Sequence, residues 1–238
     1  MDSLADADAR RPRLAVFDMD GTLIDSQHMV AAAMGEAFAA TGLVPPSAAD
    51  VRRVVGLSLA SAIERLAPEV DRRRRERLED SYRAAFAALR EIGEVSEMPF
   101  NGAFAALDAL LQMGWVLGVA TGKSVRGLSA TLERFGLEGR FATLQTVDTN
   151  PGKAAPDMLH RAMAEVGAPP RATVMIGDTS FDMEMACNAR VPALGVAWGY
   201  HERTELMAAG AAGIVEVFRD LPAAVAATAG GEPRKRTP

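Results

Sequence analysis

Residues 14–22 read Leu-Ala-Val-Phe-Asp-Met-Asp-Gly-Thr. The first four form a short, continuous apolar run, the pattern of a strand buried on both faces of a parallel sheet. The run breaks off at Asp18. Asp18 and Asp20 stand two residues apart, so on an extended chain both leave on the same side. Gly21 then permits a sharp turn. Open α/β sheets bind ligands outside the carboxyl ends of their strands, so two acids stand side by side where chemistry is expected. Asp-Gly is also ordinary turn chemistry. A turn accounts for Asp20-Gly21 but poorly for Asp18, whose carboxylate would be costly to desolvate without a cation. From this stretch alone, turn and site are both open.

Beyond Thr22 the pattern changes. Residues 29–40 (MVAAAMGEAFAA) are rich in strong helix formers. Gly42 and Pro45-Pro46 close that helix. A second helical piece, 47–55, starts at a Ser47 cap and is broken by Gly56. Residues 58–66 and the highly charged 69–92 supply two more. The segment 24–98 contains no convincing strand and reads as a small helical insert. In the second half, apolar runs at 115–120, 142–146, 173–176, 193–197 and 214–217 alternate with helical stretches at 103–112, 125–135, 155–166, 181–188 and 202–209. Strands alternating with helices make a parallel sheet wound on both faces. The expected architecture is an α/β, doubly wound, Rossmann-like core (1–23 and 99–225) with an all-helical cap (24–98) and a flexible, breaker-rich tail (226–238).

The 238 residues are 49% hydrophobic and 24% charged, an ordinary globular balance. A net charge of −5 and a pI near 5.3 argue against a nucleic-acid or anionic-membrane partner. The single cysteine, Cys187, excludes an internal disulfide framework, fits a reducing compartment and reads as a small apolar residue on a helix. Residues 1–13 lack the apolar core of a signal peptide. No apolar run reaches the roughly 18 residues of a membrane span. A soluble, cytoplasmic protein, monomer or homodimer, is the expectation.

Three more polar stretches adjoin the sheet. Run 115–120 leads into Thr121-Gly122-Lys123-Ser124, and run 173–176 into Gly177-Asp178-Thr179-Ser180-Phe181-Asp182. Pro151-Gly152-Lys153 precedes Pro156-Asp157 at a helix start. Singly, Thr121 or Ser124 is a helix cap, Gly177-Asp178 a turn, and Lys153 a solvated lysine. Jointly they converge on one edge of the sheet. Asp18, Asp20, Asp178 and Asp182 would crowd four carboxylates there, which calls for a cation. Hard oxygen donors without His or Cys select Mg²⁺ over zinc. Lysine occurs only at 123, 153 and 235 while arginine is plentiful, so a lysine kept here implies a compact point charge. A metal, a lysine, a hydroxyl and free backbone N–H groups together make a phosphate site.

FDMDGT, VATGKS, the GK…PD segment and GDTSFD resemble, in that order, the four motifs of the haloacid dehalogenase-like phosphohydrolases. The resemblance spans about 14–221 and is nearest the phosphoglycolate phosphatase-like group, whose helical cap follows the first motif. It implies that Asp18 is a nucleophile forming an aspartyl-phosphate. It implies that Asp20 protonates the leaving alcohol and then activates water. Mg²⁺ would be held by Asp18, the backbone carbonyl of Asp20 and Asp178. Thr121, the Gly122 amide and Lys153 would stabilise the transferring phosphoryl group. Asp182 would orient Lys153 or a metal-bound water. In one departure, Arg190 follows Ala189 where related sequences usually carry glycine.

Within the family, Asp20 and Asp178 argue against a dehalogenase, and a lysine-free cap argues against a phosphonate hydrolase. Phosphomutases resembling this family carry a cap histidine at the position of Val30. His28 is off register, so a mutase is disfavoured but open. The loop 52–58, with Arg53 and Gly56, is the candidate substrate-lining segment. Arg72 to Arg75 read as a solvated helix face. The expected activity is Mg²⁺-dependent hydrolysis of a small phosphate monoester such as phosphoglycolate. A sugar phosphate, nucleotide or pyrophosphate substrate is the alternative, and a non-catalytic phosphate-binding module a more distant one.

Overall fold

The computed structural model describes residues 11–93 and 97–231. Strand β1 (Arg13–Phe17) is followed by β2 (Ile24–Asp25), then by four helices: α1 (Gln27–Ala40), α2 (Ala48–Arg52), α3 (Leu59–Leu66) and α4 (Arg72–Ile92). The chain returns through β3 (Met98–Pro99) to α5 (Ala103–Gln112), β4 (Trp115–Ala120), α6 (Val125–Arg134), β5 (Thr143–Gln145) and α7 (Asp157–Val166). It ends with β6 (Thr173–Gly177), α8 (Ser180–Ala189), β7 (Ala193–Val196), α9 (Arg203–Ala208), β8 (Gly213–Val215) and α10 (Leu221–Thr228).

The six longer strands form one sheet in the order β5-β4-β1-β6-β7-β8. Every pairing in it is parallel. Strand β1 is central because its residues can be buried on both faces. Ala15 and Phe17 pack with Leu107, Leu117 and Ile176 on one side. Leu14 and Val16 pack with Met158, Met175 and Met183 on the other. Phe17 pairs with Val119 of β4 and with Ile176 of β6. This register brings the ends of all three strands level, and the polar residues that follow them meet.

The helical insert has its own core of Val30, Met34, Phe38, Val51, Ile63 and Leu78. Ser47, Ser58 and Asp71 cap α2, α3 and α4 with side-chain oxygens. Of the arginine run, Arg72 pairs with Glu76 one turn on, while Arg75 reaches across to Glu64 of α3.

Two differences from the sequence reading concern short elements. Ile24–Asp25 and Met98–Pro99 pair as an antiparallel ladder where no strand was expected. Two residues are too few to carry an alternation signal, yet this ladder ties together the two chain crossings between core and insert. Helix α10 extends to Thr228, into the expected tail, because Leu221 and Val225 are buried against the core. Of that tail, residues 232–238 lie outside the described residues. Cys187 is half-buried on α8, its thiol directed to the Ala209 carbonyl at 3.5 Å. Among the described residues no helix is long and apolar enough to cross a membrane.

Candidate active site

The strand ends bring Asp18, Thr121 and Asp178 together, with Asp182 from the first turn of α8 and Lys153 reaching in from the loop before α7. All five are buried. Lys153 Nζ lies 2.8 Å from Asp18 Oδ1 and 2.7 Å from Asp182 Oδ1, bridging the two acids. The other Asp182 oxygen accepts from the Thr179 amide at 3.0 Å and hydroxyl at 2.7 Å, so Asp182 also caps α8. Asp178 accepts from the Thr22 hydroxyl at 2.7 Å and from the Tyr200 amide at 3.0 Å. Asp18 Oδ1 accepts from the Met19 amide at 2.7 Å, while its Oδ2 is buried without a hydrogen-bond partner.

The electrostatics are unbalanced. Carboxylate oxygens of Asp18, Asp178 and Asp182 lie within 4.8 Å of one another, and Lys153 is the ammonium among them. Burial pushes the Asp18 carboxyl up to about 7, with Lys153 opposing and Asp182 adding to the rise. Burial also raises Asp178 well above the usual carboxylate range, reinforced by Asp18 and Asp182. Burial disfavours the Lys153 ammonium, but Asp18 and Asp182 outweigh it and raise its pKa. Three buried carboxylates against one ammonium, with a partnerless oxygen on Asp18, are a donor set suited to a hard divalent cation.

The surrounding backbone leaves no room for side chains. Gly21 has φ +82°, and a Cβ there would stand 2.2 Å from Asp178 Oδ2. A Cβ on Gly122 would meet the Leu57 carbonyl at 2.4 Å, so the insert's loop is seated directly on the loop after β4. Arg52 fastens the same junction, donating to the Tyr200 carbonyl at 2.7 Å and the Gly199 carbonyl at 2.8 Å.

Asp20 stands apart from the buried cluster, and its Oδ1 accepts from the Ser26 hydroxyl at 2.6 Å. Its cation is Lys123, with Nζ at 2.9 Å from the same oxygen. Asp18, Asp20, Thr121 and Gly122 line a cavity of about 790 Å³ between core and insert, and Gly56, Leu57 and Ser58 form part of its insert wall. Arg53 is not brought there. It is exposed and faces a separate cavity beside Asp50 and Arg65. Adjacent helical positions diverge by about 100°, and it is Arg52 that faces the core. Ser26, Lys123, Tyr200 and Glu97 at this site were not singled out from the sequence. The scarcity of lysine was the one signal that pointed toward Lys123.

A family model described as haloacid dehalogenase-like hydrolase matches residues 15–196. A phosphoglycolate phosphatase of Agrobacterium fabrum is 34% identical over 79% of this chain and 81% of its own length. An N-acetylmuramic acid 6-phosphate phosphatase of Pseudomonas aeruginosa is 31% identical over 80% of this chain and 84% of its own. The crystal structure of a hydrolase from Pseudomonas syringae superposes with a TM-score of 0.80 at 26% identity, covering 91% of this chain and 99% of the other. The family match spans the strands that lead into Asp18, Thr121 and Asp178, and the chain belongs to the haloacid dehalogenase-like hydrolases, among their phosphoglycolate phosphatase-like members.

Proposed function

We propose that this protein hydrolyses an organic phosphate monoester through an aspartyl-phosphate on Asp18. The observation that carries the reading is the buried Asp18 carboxylate. Its Oδ1 is fixed by Met19 and Lys153, its Oδ2 has no protein partner, and it borders an open cavity. A carboxylate held in that way is aimed at a ligand.

The residues divide the work as follows. Asp18 attacks phosphorus, forming an O–P bond as the bond to the leaving oxygen breaks. Asp20 gives the departing alkoxide its proton. Water then attacks the aspartyl-phosphate, Asp20 takes the water's proton, and phosphate leaves with Asp18 restored. Thr121, the Gly122 amide and the Lys153 ammonium offset the charge on the non-bridging oxygens. Asp182 holds Lys153 from behind. Asp18, Asp178 and the Asp20 carbonyl would hold Mg²⁺, which supplies charge neutralisation between carboxylate and phosphate.

The cavity bears on the leaving group. Its insert side is largely apolar, with Val30, Met34, Val54, Val55, Leu57 and Phe86 among the lining residues. About 790 Å³ is the size of pockets that take drug-sized ligands. A two-carbon acid would fill little of it, which favours a larger ester than phosphoglycolate. Val30 places a hydrocarbon where a mutase would carry histidine, which favours water as the acceptor.

The test is phosphate release from 2-phosphoglycolate, hexose phosphates and nucleoside monophosphates, with Mg²⁺ and with chelator. Turnover with Mg²⁺ and none with chelator is expected, with the larger esters having the higher kcat/KM. The D18N variant should lose about 10³-fold or more in kcat while still folding and unfolding cooperatively. Appreciable turnover by D18N would remove Asp18 from the nucleophile's role.

A further inference from the structure

Asp20 is tied to the helical insert by a chain of charges that reaches it through one side chain. Lys123 Nζ sits 2.9 Å from Asp20 Oδ1 and 3.5 Å from Glu97 Oε1. Glu97 is fully buried, immediately before β3 where the chain leaves the insert. Its other oxygen accepts from Arg90 of α4, from Nε at 3.1 Å and from Nη2 as well. The ring of Phe86, one turn earlier on α4, lies against both cations, 5.2 Å from the Arg90 guanidinium and 5.6 Å from Lys123 Nζ. Two carboxylate oxygens and the Phe86 ring thus fix the position of the ammonium.

We infer that Lys123 is a positioning residue for the proton transfer at Asp20, and that Glu97 and Arg90 hold it in place from the insert. An ammonium has three donors and no acceptor. The oxygen it touches therefore cannot be the one that presents a proton. Ser26 donates to the same Oδ1. Both donors thus assign Oδ1 as the acceptor and leave Oδ2 as the atom that gives the proton to the leaving oxygen and later takes one from water. Without Lys123 only the Ser26 hydroxyl, which can accept as well as donate, remains on Oδ1, and the carboxyl group's orientation relaxes. The insert contributes because Arg90 and Phe86 are both on α4. The inference rests on the proposed role of Asp20.

The experiment compares a simple alkyl phosphate with p-nitrophenyl phosphate in the wild-type enzyme, K123M, K123R and E97Q, all with Mg²⁺. Nitrophenolate leaves without a proton, so the first chemical step with that ester needs no acid. K123M should lose about 100-fold in kcat on the alkyl ester with KM nearly unchanged. On p-nitrophenyl phosphate it should release a burst of about one nitrophenolate per site at a rate within a few-fold of wild type, followed by slow turnover as the water step fails. E97Q should show the selectivity of K123M at smaller size, a loss of about 10-fold or less in alkyl-ester kcat with the nitrophenolate burst little changed, and K123R should recover part of the alkyl-ester loss. Equal losses of burst rate and alkyl-ester kcat would overturn the inference, as would a KM rise on both esters, which would make Lys123 a phosphate ligand. Unchanged kinetics in K123M would overturn it too. If the wild-type enzyme hydrolyses neither ester nor the panel above, the proposed function fails first. If wild type is active and only the selective pattern is missing, the positioning role alone fails.

Discussion

Arg190 adopts φ +58° and ψ +38° at the end of α8, the left-handed conformation in which a Cβ crowds the following carbonyl. Its side chain is exposed and its position lies away from the cavity. The strain therefore has no counterpart in the site, and R190G should stabilise the protein. Relief of about 1 kcal/mol is partly offset by the greater freedom of glycine in the unfolded chain. A net gain of about 0.5 kcal/mol, read as a higher urea midpoint at unchanged slope, is expected with unchanged kcat. A lower midpoint would mean that the arginine side chain contributes more than its backbone costs. Gly21 has the same sign of φ but the opposite consequence. There the missing Cβ is what lets the loop close on Asp178, so alanine would displace a carboxylate from the cluster.

At the scale of elements, the seam between insert and core is what a substrate must enter and leave. Arg52 donates two hydrogen bonds across it, to the successive carbonyls of Gly199 and Tyr200. The Tyr200 amide in turn donates to Asp178, so the seam and the acid cluster share one loop. R52M keeps the side chain's length and removes the donors. It should lower kcat/KM by about 10-fold, the equivalent of one or two charged hydrogen bonds, through docking of the insert. Equal kcat/KM in R52M and wild type would show that other contacts suffice to seat it. This seam also marks where the sequence stopped being legible. Apolar runs ending in Asp18, Thr121 and Asp178 were readable because a buried strand and its polar end differ sharply in composition. The choice between Arg52 and Arg53 was not, because it depends on where a five-residue helix begins. The two-residue ladder of β2 and β3 carries no periodicity. Glu97 and Lys123 are 26 residues apart, and only the fold brings them together.

For the molecule as a whole, the acid cluster couples folding, pH and metal. Asp18 is raised from 3.8 to about 7 in the folded protein, and Asp178 is raised with it. An unfolded chain gives up both protons near pH 4. With metal removed, the folded state therefore holds protons that the unfolded state has lost. The stability these groups contribute is fully present below about pH 4 and disappears as pH rises through about 7. The loss is of the order of a few kcal/mol. A divalent cation at the proposed site would reverse this, because it would bind the ionised carboxylates, and binding to the folded state alone adds stability by mass action. The rise in Tm on adding 10 mM Mg²⁺ to chelator-treated protein should thus be small at pH 5 and several degrees larger at pH 8. D18N, which removes one of the raised acids, should be more stable than wild type at pH 8 in chelator and gain less from Mg²⁺. Differential scanning calorimetry at the two pH values, with and without Mg²⁺, measures all four quantities. A Mg²⁺ effect of equal size at pH 5 and pH 8 would mean that the cation does not compete with protons for these oxygens, and the assignment of Asp18 and Asp178 as its ligands would fall.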